Sequence, residues 1–187
     1  MNTWNKKNIL RLLLYVVLYV IATAIVCVLG SIHGLMFVCY QITAAILVTG
    51  IAGKAFDCIK AAGVAAFLAL GMILTFFLIQ DANLWHCIPL IVIAVLAEIV
   101  RGICKYKQPG NLIASVIMSF STFGYYGQIW FNRDYTYECA VEEMPAGYAD
   151  TLMQYSPLWA LPVVMISGIL ISIVVYHITE KQFHFEA

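Results

Sequence analysis

The sequence contains few charged residues, and this scarcity excludes most kinds of soluble protein. Only 11% of the 187 residues are charged, whereas 63% are hydrophobic, and the mean hydropathy is +0.91. A soluble domain usually has about a quarter of its residues charged. So few charges cannot cover the surface of a soluble domain of this length, so the sequence predicts an integral membrane protein.

Catalytic and cofactor motifs are also absent from the sequence. It contains no GxSxG, HExxH or Walker A motif, and none of its six cysteines belongs to a CxxC pair. There is no basic run with interleaved aromatic residues, which a nucleic-acid-binding protein would typically have. We therefore expect no enzymatic activity, no intrinsic cofactor and no nucleic-acid partner, and we interpret the cysteines as small apolar side chains.

Six apolar segments predict a single membrane domain, residues 1–187, built as an all-α bundle of six transmembrane helices. A spanning helix needs about 20 mostly apolar residues, and continuous rather than alternating hydrophobicity argues against a β-barrel. The predicted spans are 9–32, 35–52, 61–79, 84–100, 111–131 and 158–179, with a long outer loop at 132–157. The basic N-terminus resembles a signal peptide, but its apolar run is too long, so we interpret it as the first span.

The distribution of charge predicts the orientation of the bundle. Cytoplasmic loops are enriched in Lys and Arg. With the N-terminus inside, only Arg133 of the ten basic residues falls outside. The inner residues are Lys6, Lys7, Arg11, Lys54, Lys60, Arg101, Lys105, Lys107 and Lys181, and the acidic residues of the outer loops are Asp81, Asp134, Glu138, Glu142, Glu143 and Asp150. Both termini are therefore predicted to be cytoplasmic.

Aromatic residues are concentrated at the predicted outer end, between residues 124 and 159. This pattern fits an interfacial aromatic belt, and it also fits the walls of a small-molecule pocket covered by a long loop. For the pocket, the predicted substrate-binding residues are His33, Met36, Trp85, His86, Tyr125, Tyr126, Trp130, Arg133, Asp134, Tyr148, Tyr155 and Trp159. Arg133, the only outer basic residue, is predicted to bind an anionic group of the ligand.

Two histidines, His33 and His86, both fall at the predicted outer end. Imidazole is a common ligand of metal ions and of metal-containing macrocycles, so these residues are candidate metal ligands. The alternative is that both are interfacial histidines without a ligand.

Small polar residues lie along the predicted fifth span at helical spacing. Ser115, Ser119, Thr122 and Tyr126 would share one helical face. For the two serines we expect hydrogen bonds between helices, and for Tyr126 a ligand contact. Gln41 of the second span is a candidate to face the same interior.

The cytoplasmic half contains the residues predicted to contact a partner subunit, which are Ala61, Ala65, Ala69, Glu98, Arg101 and Lys105. Alanines four residues apart allow helices to approach closely, either within the chain or between subunits. Glu98 and Arg101, three residues apart on a helix, are spaced to form an ion pair.

Three short segments resemble the Trep_Strep, or MptD-like, family of integral membrane proteins, and in this order they extend over most of the chain. They are Leu29-Gly30 to Leu35-Met36-Phe37, then Ala97-Glu98-Ile99 to Lys105-Tyr106-Lys107 and Asn111, and finally Arg133-Asp134 followed by Gly147-Tyr148 and Tyr155. Two features depart from S components and from this family. The first span lacks an early small-xxx-small pattern, and Ser31 to Gly34 stand at a hairpin where members have proline.

The resemblance implies a function, because members of this family are regarded as substrate-binding S components of energy-coupling factor (ECF) importers of the bacterial cell membrane. An S component has six helices and a substrate pocket near the outer face. It works with a membrane-spanning T component and two cytoplasmic ATPases, which use the ATP. Its substrates are vitamins, their precursors or transition-metal ions.

Two other functions remain open from the sequence. One is a structural or assembly membrane protein whose outer loop binds a protein partner. The other is a small membrane enzyme acting on a lipid or an envelope precursor, although the sequence offers no nucleophile–base pair for such a reaction.

Overall fold

A computed structural model describes residues 4–185, and this part of the chain is helical with no β-strand. The helices are α1 (Lys6–Ile32), α2 (Gly34–Val38), α3 (Tyr40–Cys58), α4 (Val64–Leu78), α5 (Leu84–Ile103), α6 (Gln108–Met118), α7 (Phe123–Tyr126), α8 (Gln128–Phe131), α9 (Arg133–Glu143), α10 (Tyr148–Tyr155) and α11 (Ala160–Phe183). The predicted all-α class is therefore confirmed.

Three helices, α1, α5 and α11, are long and apolar enough to cross a membrane, and α4 is apolar but shorter. Most residues of the three long helices are not buried in the protein, although they are apolar. In water such a surface would be unfavourable, whereas lipid chains solvate it well. This distribution agrees with a membrane protein.

Helix α3 is the centre of the bundle and packs against α1, α6 and α11. Its buried positions include Ala44, Ala45, Val48 and Ala52, none of which is exposed. Small side chains let neighbouring helices approach closely. The bundle has a basic end, where α3, α5 and α11 finish and α1, α4 and α6 begin, and an opposite, acidic end.

Several predicted segments differ from the observed helices. The second span is divided at Cys39 into α2 and α3, and the third is shortened to Val64–Leu78. The fourth and sixth extend to Ile103 and Phe183. The predicted loop 132–157 contains two helices, α9 and α10, which lie against each other.

The predicted fifth span is not one continuous helix. Helix α6 ends at Met118, and residues 119–122 form turns before α7 and α8. The amides of Phe120 and Ser121 bond carbonyls three residues back, those of Ile117 and Met118, which tightens the chain out of α-helical geometry. After the break, α7 packs against α5.

Arg101 is fully buried at the basic end, which corrects its predicted role at a partner surface. Its guanidinium donates to the carbonyl oxygens of Phe56 (3.4 Å), Ile59 (2.9 Å) and Ala61 (3.3 Å), and to Asn111 Oδ1 (3.3 Å). Phe56 belongs to the last turn of α3, and Ile59 and Ala61 follow its end, so these carbonyls lack helical partners. Arg101 therefore holds the α3–α4 connection inside the protein.

The other residues predicted to contact a partner also pack mainly within the chain. Glu98 accepts hydrogen bonds from the backbone N–H of Ala65 (2.6 Å) and from Arg101 (3.2 Å), so it caps the first turn of α4. Ala61, Ala65 and Ala69 are at most 3% exposed. These residues stabilise internal packing, and of the predicted set only Lys105 is exposed.

Candidate functional site

A cavity of about 470 Å³ opens among the helices at the acidic end. Its walls come from the C-terminal halves of α1 and α4, α2, the first residue of α3, the turn 79–83, the start of α5, and α7 to α10. The lining residues include Thr23, Cys27, Ser31, Phe37, Tyr40, Phe76, Asp81, Asn83, Trp85, His86, Tyr125, Gln128, Tyr135, Thr136, Cys139, Glu143, Tyr148 and Leu152. Its size and aromatic lining are those of a small-molecule site.

One wall is held to α1 by two tyrosines. Tyr40 donates to the carbonyl oxygen of Cys27 (3.0 Å), and Tyr148 donates to that of Gly30 (2.7 Å). A side chain at Gly30 would collide with the Tyr40 ring. Burial raises the pKa of Tyr148 to about 12, so this hydroxyl keeps its proton at neutral pH and remains a donor.

Two glycines permit the close helix contacts that shape the cavity. At Gly34, a Cβ would lie 2.7 Å from the backbone nitrogen of Leu152 in α10. At Gly124, a Cβ would overlap the backbone of Trp85 and His86 at the start of α5. Larger residues would separate α10 and α7 from the helices that complete the site.

Asp81, His86 and Tyr125 form a polar cluster in the cavity lining. Tyr125 Oη donates to Asp81 Oδ2, and His86 Nδ1 lies 3.3 Å from Asp81 Oδ1. The His86 and Tyr125 rings stack, with centroids 3.8 Å apart and planes 16° apart. Asn83 caps α5 by accepting a bond from the backbone N–H of His86 (3.0 Å), which fixes the imidazole beside the carboxylate.

The environment of Asp81 favours its ionised form. Partial burial raises the pKa of this carboxyl. The hydrogen bonds from His86 and Tyr125 and the charge of His86 together lower it by more, so the pKa of Asp81 is below its usual value. The cavity lining includes a second carboxylate, Glu143, and neither Lys nor Arg. The site is therefore acidic.

Four predicted site residues, Trp85, His86, Tyr125 and Tyr148, line this cavity. Met36, Tyr155 and Trp159 lie outside it and are 44%, 42% and 69% exposed. His33 also lies outside, where its Nδ1 accepts the backbone N–H of Leu35 (3.1 Å) and caps α2. Of the two histidines, His86 alone lines the cavity.

Arg133 does not reach the cavity, contrary to its predicted role. Its guanidinium donates to Ser156 O (2.9 Å), Ser156 Oγ (3.1 Å) and Met153 O (2.9 Å), which ties α9 to the end of α10. Together with Asp134 it lines a separate hollow. The sequence contains no signal for this placement, because it does not distinguish an arginine exposed in a loop from one bonded to the carbonyls at a helix end.

Tyr126 and Trp130 are also placed away from the cavity. Tyr126 is fully buried and donates to Gln41 Oε1 (2.9 Å). Trp130 Nε1 donates to the carbonyl of Pro157 (3.1 Å). Both stabilise contacts between elements.

The sequence interpretation missed most of the polar lining. The sequence marks Asp81 and Glu143 only as outer acidic residues and Ser31 only as part of the first hairpin, and Thr23 is not among the predicted site residues. The spacing of Thr23, Cys27 and Ser31, four residues apart, places them on one face of α1 and was the available signal. Across residues 4–185, no group of three His, Cys, Asp or Glu side chains is arranged to hold a metal ion.

The fold and the site define a class: a helical membrane protein with an acidic, aromatic cavity at one end of its bundle. Residues 6–186 match the model of a family described as hypothetical bacterial integral membrane protein (Trep_Strep). The chain belongs to this family, which confirms the resemblance seen in the sequence. The match also confirms that the protein resides in a bacterial membrane. No curated protein and no solved structure matches the chain.

Proposed function

We propose that this protein is the substrate-binding S component of an ECF-type importer. It captures a small molecule, such as a vitamin or cofactor precursor, at the outer face of the membrane. A T component and two cytoplasmic ATPases then drive delivery inward, and the chain itself carries out no chemistry. The observation that carries the proposal is the cavity of about 470 Å³ at one end of an apolar bundle.

The proposal includes six membrane segments with both termini in the cytoplasm. These segments are α1, α2 with α3, α4, α5, α6 to α8, and α11. Nine of the ten basic residues lie at the end of the bundle opposite the cavity, where both terminal helices also have their chain termini. The preference of Lys and Arg for the cytoplasmic side favours an outward-facing cavity.

The interior supports the need for an external source of energy. In the described part of the chain, the buried charged residues Asp57 and Arg101 lie at the basic end, whereas Gln41, Ser119 and Ser172 at the centre are uncharged. A pump or channel typically lines its path with charged groups. A binding subunit coupled to ATPases needs no such path.

The test is to purify the tagged full-length protein from its own bacterium in a mild detergent and identify the associated proteins by mass spectrometry. We expect two ATPases and a larger membrane subunit in amounts comparable to the bait. Recovery of an envelope or secretion complex without ATPases would reject the importer and favour the protein-binding alternative.

A pair of charge-reversal variants makes this test sharper. Lys105 and Lys107 are exposed at the basic end, where cytoplasmic ATPases and the T component would lie. We expect the double variant Lys105→Glu/Lys107→Glu to reduce recovery of the ATPases. Glu142→Lys, which is exposed at the acidic end, serves as the control and should leave recovery unchanged.

A further inference from the structure

We propose that the cavity binds a small organic cation that carries a planar ring. This inference rests on the proposed function for the fate of the ligand, since it names the substrate class that the importer would carry. It replaces the expectation, drawn from Arg133, of an anionic ligand.

The charges of the lining exclude an anion as the preferred ligand. Asp81 and Glu143 line the cavity with no Lys or Arg among the lining residues. The guanidinium of Arg133 is bonded to Ser156 and Met153 in another hollow. An anion in this cavity would lose its hydration and face two carboxylates, while the one basic side chain of the lining, His86, is already paired with Asp81, so binding of an anion is unfavourable.

Asp81 is oriented in advance as an acceptor for a positive group. One carboxylate oxygen accepts from Tyr125 and the other lies beside His86, which fixes the rotamer. The side chain nevertheless remains 38% exposed. An ionised carboxylate has about four acceptor positions, so Asp81 retains capacity to bind a charged nitrogen of the ligand.

The aromatic walls suit a flat ring with delocalised positive charge. Phe76 packs edge-on against Tyr125, with centroids 5.7 Å apart, and Tyr125 stacks on His86. Phe37 and Tyr40 form a second pair with centroids 4.5 Å apart. A cation within about 6 Å of such a ring is attracted by the negative face of its π system.

The same lining argues against a bare metal ion as the cargo. Metal ions in proteins are held by clusters of several side-chain ligands, and the described residues provide no group of three. One anchored carboxylate among aromatic rings is instead the arrangement that recognises an organic cation.

The experiment compares three planar probes of similar size with the purified full-length protein in nanodiscs of zwitterionic lipid. The probes are N-methylquinolinium, which is cationic, quinoline, which is neutral at pH 7, and 1-naphthoate, which is anionic. We expect calorimetric titration to give N-methylquinolinium a Kd at least about tenfold below those of the other two probes. Equal or tighter binding of quinoline or naphthoate, or no saturable binding of the cation, would overturn the proposal.

Variants assign the preference to the cavity. Asp81→Asn should raise the Kd of N-methylquinolinium about tenfold, and Glu143→Gln, at the exposed end of α9, should raise it by a smaller factor. Glu142→Gln changes a neighbouring exposed acid outside the lining and should bind normally. If the elution profile shows that Asp81→Asn does not fold, the test rests on comparing the Kd of N-methylquinolinium between Glu143→Gln and Glu142→Gln. Equal affinity in that pair would then reject the site.

The outcomes for function and for ligand class are distinguishable. Selective cation binding without copurifying ATPases would keep the ligand class and reject the importer. ATPases recovered with a protein that does not prefer the cation would keep the importer and reject the ligand class.

Discussion

The hydroxyl of Tyr126 lies within the bundle and takes part in a chain of buried hydrogen bonds. It donates to Gln41 Oε1, and Gln41 Nε2 donates to Ser119 Oγ (3.0 Å). Ser119 also accepts from Ser172 (3.0 Å), which accepts from Thr49 (3.1 Å). This chain joins α3, α11 and the broken fifth segment, so its members stabilise the bundle.

We predict that Tyr126→Phe lowers stability without changing ligand affinity. The substitution leaves Gln41 Oε1 without its donor, at a cost of about 1–3 kcal/mol, which thermal unfolding in detergent would detect as a lower midpoint. Tyr137→Phe, which removes an exposed bond to Asp150, is the matched control with a smaller effect. Weaker N-methylquinolinium binding at unchanged stability would instead place Tyr126 in the site.

Arg101 gives a second prediction at the scale of a single residue. Arg101→Met should destabilise the protein by about 3–5 kcal/mol. The substitution removes the buried positive charge that pairs with Glu98, and it leaves three carbonyl oxygens without donors. The measurement is the unfolding midpoint. Lys105→Met, at an exposed position, should be nearly neutral, and equal midpoints for the two variants would contradict this role for Arg101.

At the scale of elements, the broken fifth segment and the two helices after it build much of the site. Residues 111–131 are apolar enough to predict a continuous span, and the hydroxyl residues at 119, 121 and 122 with the glycines at 124 and 127 are the local signs of a break. Hydroxyl side chains compete for backbone hydrogen bonds, but many helices contain them without breaking. The break depends on packing against α3 and α5, which a local pattern does not encode.

The contact between α2 and α10 supplies a prediction about these elements. Gly34→Ala would place a Cβ 2.7 Å from Leu152 N and 2.9 Å from Leu152 Cα, and backbone atoms cannot move as a flexible side chain would. We expect a loss of about 1–3 kcal/mol in stability and weaker cation binding, because α10 carries Tyr148 and Leu152 into the cavity wall.

The control for Gly34→Ala is Gly102→Ala at the other end of the bundle. A Cβ there would meet only Tyr106 Oη, at 3.9 Å, so both stability and binding should be maintained or slightly improved. Normal binding by a folded Gly34→Ala variant would show that the position of α10 does not control the cavity.

At the scale of the whole molecule, the proposed orientation predicts which end of the bundle is accessible from outside the cell. Single cysteines at Ala146 and Lys107, both exposed and at opposite ends, would be introduced after replacing the six native cysteines. A membrane-impermeant maleimide added to intact cells should label Ala146→Cys and not Lys107→Cys. The reverse pattern would invert the orientation, and labelling of both would reject the assignment of these two positions to opposite faces.

The sequence by itself determined the class of this protein. Its apolar composition and low charge required a membrane environment and helices, because backbone groups in lipid must bond within their own element. Short segments also identified the family that a match over residues 6–186 confirms. The cavity lies at the end of the bundle where the sequence predicted a pocket, and four of the predicted residues, Trp85, His86, Tyr125 and Tyr148, line it. Their role in binding a ligand stays a prediction.

Only the tertiary structure decided which polar side chains meet. Asp81, His86 and Tyr125 converge because the turn 79–83, the start of α5 and α7 meet at the acidic end, whereas Arg133 and Tyr126 are directed to helix ends and to the bundle centre. A helical pattern fixes which residues share one face, but not the neighbour that this face meets. The sign of the cavity's charge, and hence the proposed cationic ligand, follows from those long-range contacts.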